Sequence, residues 1–372
     1  MTAAFTLGVE EEYQIIDPET RALKGLSALL IDSNQQADTP QTIVHELYCC
    51  QVEIATDVCE TLDEVRQALT QARGAVISAA EENGVAIAAA GTHPFSDWRD
   101  QVVTPKDRYY ALQDDLQQAV RELIIFGCHV HVGIEDREMA VQVVNRSRNW
   151  LPTLLALTAN SPFWQGKDTG YDSYRMEMWC RLPTAGPPPV FKNYADYRAF
   201  IQKLIDTGIT DDPTKIYWDI RLSERYPTVE FRMSDVCASI DEAVMLAGLI
   251  RALAHTCYQD ARFDQPFPAV RAELLKAAMW QSARYGLQGE LINFATTESV
   301  PAKSLVESLL EYVQPALEHY DDWGFVSQQI GHILSEGNSA QRQRRVYEEA
   351  GTHEAVVDDL IERGLVPLVL AR

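Results

Sequence analysis

The sequence predicts an α+β protein whose antiparallel sheet carries helices on one side and a polar, concave face on the other. Two observations carry that prediction. Several short segments alternate with period 2 and put acidic, His or Arg side chains on a single parity, while the stretches between them have apolar positions at helical spacing. The chain also lacks GxxxxGK[ST] and GxGxxG, so a phosphate-handling site would not be of P-loop or Rossmann type. HExxH and GxSxG are absent too, which argues against common zinc peptidases and serine hydrolases.

Residues 6–16, TLGVEEEYQII, form the clearest strand. Leu7, Val9, Glu11 and Tyr13 point one way, and Gly8, Glu10, Glu12 and Gln14 the other. Alternating charged strands ordinarily face water, but adjacent like charges repel unless a cation lies between them. Oxygen-rich clusters of that kind suit Mg²⁺. Turn residues 17–20 follow, then a short apolar helix over 26–38 that passes into a polar loop.

Residues 45–56, HELYCCQVEIAT, read as a second strand with Cys49, Gln51 and Glu53 on one parity. Glu46 has the other parity and shares their face only through a bulge. Thr61 with Glu64 is a capping box for a helix over 61–83, where Leu62, Val65, Leu69, Ala72, Val76 and Ala79 recur at helical spacing. A short buried strand over 85–90 runs into GTHPF, and helical periodicity resumes over 107–124.

FGCHVHVGI, residues 126–134, is the third strand, with His129 and His131 on one face beside glycines. An amphipathic and then largely apolar helix spans 137–160. Residues 166–190 are rich in Gly, Pro and Tyr and carry Arg175 and Arg181; long irregular stretches in compact proteins usually serve function. A helix covers 194–209. In 216–234 two strands flank a turn at 224–227, and the second puts Glu230 and Arg232 on its polar side, by default a surface ion pair. Helices follow over 241–262, over 271–293 with an interruption at 285–289, and over 302–320. GNSAQRQRRV, residues 337–346, is a basic patch with Arg342, Arg344 and Arg345, open to either solvation or a phosphate.

The chain has 372 residues and a formal net charge of −22. So acidic a chain is a poor partner for nucleic acid or an anionic membrane. No basic n-region with an apolar core opens the sequence, no apolar run reaches membrane-spanning length, and the seven cysteines are scattered without a CxxC pair. The expectation is a reduced cytoplasmic protein. With no repeat or linker, residues 1–372 read as a single catalytic domain.

GVEEE, QVEIATDV, GTHPF, GCHVHVG, YWDIRLSERYPTVEFRMSD and RYGLQG, in this order and spacing, resemble the carboxylate–amine ligase family, also called glutamate–cysteine ligase type 2. The resemblance covers essentially the whole chain. It implies the glutamine synthetase-like catalytic fold, a curved, mainly antiparallel sheet with helices packed on its outer face. It also implies ATP-dependent amide formation through an acyl phosphate, in its simplest form glutamate plus cysteine giving γ-glutamylcysteine for glutathione biosynthesis. ATP and two or three Mg²⁺ ions, with Mn²⁺ able to substitute, would be the cofactors.

By matching motifs, Glu10, Glu12, Glu53, His129 and Glu230 would be metal ligands, with Glu46 a further candidate. Arg232 and Glu53 would serve catalysis, Arg232 by lying over the transferring phosphate. Arg175, Arg108, Arg221 and His131 would contact substrate, Arg175 by gripping an amino-acid carboxylate. Arg284 would contact nucleotide. Cys49 and Cys50 depart from the pattern, standing where a polar or acidic residue is expected; burial in the core and a place at the amino-acid pocket both stay open. The partners implied are small molecules, with neither nucleic acid nor membrane, and homo-oligomerisation is left open. The rival readings are the same ligase chemistry on another acid or amine, a metal-dependent hydrolase, and a non-catalytic binding protein.

Overall fold

The computed structural model describes residues 5–37 and 42–370. Its strands are β1 (Leu7–Ile16), β2 (Ile43–His45), β3 (Gln51–Ala55), β4 (Ala86–Ala88), β5 (Gly127–Gly133), β6 (Phe163–Trp164), β7 (Lys167–Asp168), β8 (Ile220–Leu222), β9 (Thr228–Asp235), β10 (Glu290–Asn293) and β11 (Glu298–Pro301). The main sheet runs β2-β3-β1-β5-β9-β8, every pair antiparallel. β1 is long enough to pair with β5 through Leu7–Glu11 and with β4 through Gln14–Ile16, while β3 occupies its other edge. β6–β7 and β10–β11 are separate hairpins.

Alternation along β1 divides the molecule. Leu7, Val9, Tyr13 and Ile15 are buried, and the helices Leu62–Glu82 and Ile240–Arg262 pack on this side of the sheet. The first of these helices starts where Thr61 and Glu64 complete a capping box, and it buries Leu62, Val65, Leu69, Ala72, Val76 and Ala79. Each large side chain so removed from water contributes about 1.5–3 kcal/mol. Glu11 shares the apolar parity and is fully buried. Arg73 from that helix meets it through Nη2–Oε1 at 2.5 Å and Nε–Oε2 at 3.0 Å, Tyr13 donates to the same carboxylate, and Arg73 also donates to the Cys237 and Ala238 carbonyls. The middle glutamate of GVEEE therefore bolts β1 to the helical layer, and its two neighbours face the opposite side.

The structure differs from the sequence reading in several places, each with a local cause. The strand expected over 45–56 divides into β2 and β3, which pair as a hairpin, and Gln51 Oε1 accepts the Tyr48 N–H within the connection. Left-handed Gln117, at φ 48°, breaks the helix over 107–124 into Asp107–Leu116 and Gln118–Arg121. The helix over 137–160 becomes Arg137–Ser147 and Leu151–Thr158, joined by a 3₁₀ turn. The helix expected to reach 293 ends at Tyr285, because Gly286 takes φ 51°; residues 290–293 are β10. The irregular stretch over 166–190 holds half of a hairpin and a short helix, Tyr174–Trp179, capped by Ser173. The expected end of the helix over 26–38 lies outside the described residues. No helix among the described residues is long and apolar enough to cross a membrane.

Candidate active site

The polar parity of the sheet forms a continuous floor. Register sets Glu12 opposite Glu53 on β3, Glu10 opposite His129 on β5, His131 opposite Glu230 on β9, and Arg221 opposite Glu230 on β8. Between Cys128 and Val130 the β5–β9 register shifts, so that Arg232 and Met233 together oppose His129. This bulge restores Asp235 to the floor side, opposite Gly127, where Ser161, Ser173 and the Asn160 N–H donate to it.

Two donor clusters occupy this floor. Glu12, Glu46 and Glu53 each offer an oxygen within 4.8 Å of the others, and Glu10, His131 and Glu230 do the same with two oxygens and a nitrogen. Glu46 reaches its cluster from the β2–β3 connection rather than through a bulge. In the first cluster, burial and the Glu46 charge push Glu12 up to about 8. Glu53 is pushed well above the usual carboxylate range by burial and then by Glu46, Glu10 and Glu12. The Gly127 N–H donates to Glu12 Oε2 at 2.7 Å, yet no cationic side chain lies within ion-pair distance of the three carboxylates among the described residues.

The second cluster is differently balanced. Burial works against ionised Glu10, but His129 and His131 hold it well below the usual range, at 3.2 Å from His129 Nδ1 and 3.3 Å from His131 Nε2. His131 Nδ1 meets Thr228 Oγ1 at 3.0 Å, which turns Nε2 toward Glu10; neither that Nε2 nor His129 Nε2 finds a well-aligned hydrogen-bond partner. Burial and the Arg232 charge drive His129 down to about 4, so it is neutral at physiological pH. Crowded carboxylates with no cationic partner, together with buried imidazole nitrogens whose lone pairs have no hydrogen-bond partner, fit divalent cations. A donor set of carboxylate oxygens with one imidazole favours Mg²⁺ or Mn²⁺ over Zn²⁺.

The imidazole in the donor cluster is His131, with His129 beside it on Glu10, because register pairs His131 with Glu230. Arg221 donates to Glu230 through Nε at 2.8 Å and Nη2 at 3.3 Å, and to the Thr214 and Ile216 carbonyls, so its fork is committed to Glu230. Arg232 also grips Glu230, whose carboxyl is held well below the usual range, burial notwithstanding, by these two arginines. Arg175 is 1% exposed. It lies over Gly127, where a Cβ would overlap its guanidinium, and donates to the Met233 and Arg232 carbonyls, both at 3.3 Å. Trp179 stands against both Arg175 and Arg232, with their Cζ atoms 5.7 and 5.3 Å from its ring.

Other candidates lie apart from this group. Arg108 is exposed on the helix Asp107–Leu116, with its guanidinium 4.7 Å from the ring of Tyr109, whose hydroxyl donates to the His45 carbonyl. Arg284 contacts the Gly170 carbonyl and the rings of Tyr171 and Tyr285, outside the carboxylate floor. Arg342 and Arg344 are held by Glu242, and by Asp168 and Asp172. Cys50 is core; Cys49 is half-buried with Gly25 against it. Asp219 and Asp235 escaped the sequence reading. WD in YWDIR carries no pattern of its own, and the bulge that turns Asp235 inward has no sequence mark.

A mainly antiparallel sheet with helices packed on one face is the glutamine synthetase-like fold. The structure superposes on a glutamate–cysteine ligase from Francisella tularensis, solved in complex with AMP, with a TM-score of 0.69 at 13% identity over 96% of this chain and 88% of that one. A bifunctional glutathione synthetase from Pasteurella multocida gives 0.72 at 14% identity over 97% of this chain and 52% of the other. In sequence, residues 6–359 match the glutamate-cysteine ligase family 2 (GCS2). Proteins named "Putative glutamate--cysteine ligase 2" from Rhodopirellula baltica and Herpetosiphon aurantiacus are 42% and 41% identical; the alignments cover 98% of this chain in both cases, and 98% and 94% of those proteins. The chain belongs to the glutamate–cysteine ligase family 2, and it is a ligase.

Proposed function

We propose that the chain works as one catalytic domain, residues 1–372, and joins a carboxylic acid to an amine at the expense of ATP. In the simplest form glutamate and cysteine give γ-glutamylcysteine, ADP and phosphate, the entry step to glutathione. The observation that carries this reading is the pair of clusters, Glu12–Glu46–Glu53 and Glu10–His131–Glu230, side by side on one sheet face. When bound there, Mg²⁺ supplies neutralisation of phosphate charge and a template for in-line transfer.

The protein's own groups supply position and charge. A substrate carboxylate oxygen attacks the γ-phosphorus, ADP departs, and the amine nitrogen then displaces phosphate from the acyl carbon, losing a proton. Arg232, which contacts Glu230, is placed to face charge developing on the transferring phosphoryl group. Arg175, rigid over Gly127, is the guanidinium for an amino-acid carboxylate. Arg108 on the rim and Arg284 near Gly170 are outer contacts for substrate and nucleotide, while Arg221 serves by holding Glu230. His129, neutral and bonded to Glu10, fixes that carboxylate for its cluster.

The test is ADP release from Mg·ATP with glutamate and a panel of amines. Release that requires both glutamate and cysteine establishes γ-glutamylcysteine synthesis; dependence on another acid and amine keeps the ligase chemistry and changes the substrate. Release without any amine would overturn the ligase reading in favour of a hydrolase.

A further inference from the structure

Asp219 is an acid on the floor that the roles above leave unused and, unlike Asp235, it has no well-aligned donors on its carboxylate. It is fully buried just before β8, its N–H donates to the Gly186 carbonyl at 3.0 Å, and neither carboxylate oxygen finds a well-aligned hydrogen-bond partner. Its carbonyl accepts the Arg232 N–H at 2.8 Å. This extends the β8–β9 register in which Ile220 faces Phe231 and Arg221 faces Glu230, so Asp219 lies across from Arg232 on the floor parity.

Arg175, Arg232 and Lys276 are the cations whose charge acts on Asp219. Lys276 is exposed, and Arg175 is committed to two carbonyls and lies 4.0 Å from Asp235. Arg232 has capacity to spare: among the described residues its ion-pair partner is Glu230 alone, it donates to no backbone carbonyl through its guanidinium, and its Nε, like that of Arg175, is unpartnered. Glu230, by contrast, is oversubscribed. It takes Arg221 through two hydrogen bonds and Arg232 through a third, while belonging to the cluster with Glu10 and His131. A carboxylate has about four lone-pair sites, so a cation at that cluster competes with an arginine for them.

We propose that Asp219 is a positioning residue, the second seat for Arg232, taken up when a divalent cation engages Glu230. The inference rests on the metal-floor reading above. An arginine with an acid on either side is never left as an uncompensated buried charge. The exchange would free Glu230 for the cation while keeping the guanidinium beside Trp179, within the site.

The experiment is calorimetric titration of Mn²⁺, without nucleotide, into the full-length wild type, Asp219→Asn, Arg232→Ala and the double variant. Loss of an outer partner costs roughly 10–100-fold in metal affinity. Asp219→Asn is expected to weaken Mn²⁺ binding by about tenfold in the wild-type background and to add nothing once Arg232 is alanine. An equal loss in both backgrounds would reveal a simple charge effect and overturn the proposal, as would no loss in the single variant. Should the asparagine variant fail to fold, Asp219→Ser carries the same expectation. A wild type that binds no Mn²⁺ would overturn the metal floor itself, and this inference with it.

Discussion

Single residues on this sheet have separable costs. Glu12 lies among acids without a cation to separate them, so Glu12→Gln relieves repulsion in the metal-free protein. The variant is expected to melt at or above the wild-type temperature without metal, to lose the rise in Tm that Mg²⁺ gives the wild type, and to lose at least about 100-fold in ADP release. Thermal scans with and without Mg²⁺ beside an activity assay check all three. An unchanged turnover would remove Glu12 from the site.

His93 offers a pH test that does not involve the two donor clusters. Its Nδ1 accepts the Ser96 N–H at 2.9 Å and its Nε2 lies 2.9 Å from the Arg21 carbonyl, an arrangement that demands the neutral ring. Burial drives its pKa down to about 3, while the unfolded chain has the ordinary value near 6.5. Between those values the unfolded state binds more protons, so this residue's contribution is intact above about pH 6.5 and is lost as pH falls toward 3. His93→Gln is expected to flatten that part of the stability–pH curve by a few kcal/mol, read from urea melts at several pH values.

At the scale of elements, β1 is held to its helical layer by a buried pair and to its neighbours by register. Arg73→Ala strands Glu11 in the core and is expected to cost about 3–5 kcal/mol, measured as a shift in the urea midpoint. Gly127→Ala drives a methyl group into the Arg175 guanidinium, and because Gly127 also anchors Glu12, it is expected to cost activity out of proportion to stability. Comparison of kcat/KM with Tm checks that separation.

Elements also show what the sequence could reveal. The two faces of β1 follow from alternation alone, and the Thr61 capping box from two residues three apart. Glu46 was ambiguous because parity assumes an unbroken strand, whereas a hairpin connection brings it to Glu53. Choosing between His129 and His131 required the pairing of β5 with β9, which is long-range information that no window of sequence holds. The strand at 290–293 was hidden because helical periodicity runs up to Tyr285 and only the positive φ of Gly286 ends it. Asp219 went unnoticed because its meaning lies across the sheet, in Arg232.

For the whole molecule, the apolar face of the sheet packs on the helical layer, and the other face gathers the charges. The net charge of −22 is a global property, but much of the site's chemistry lies in the few acids that the sheet forces together. A chain built this way should bind divalent cations tightly enough to raise its Tm, and lose that increment to a chelator. In the proposed mechanism a substrate carboxylate, rather than water or a protein side chain, attacks ATP. The direct measurement is isotope transfer: the acid substrate is labelled with heavy oxygen in its carboxylate, and the inorganic phosphate released during turnover with the amine is weighed by mass spectrometry. One labelled oxygen in each phosphate is the predicted result. Phosphate free of the label, formed at the same rate, would show that no acyl phosphate is made and would contradict the ligase mechanism.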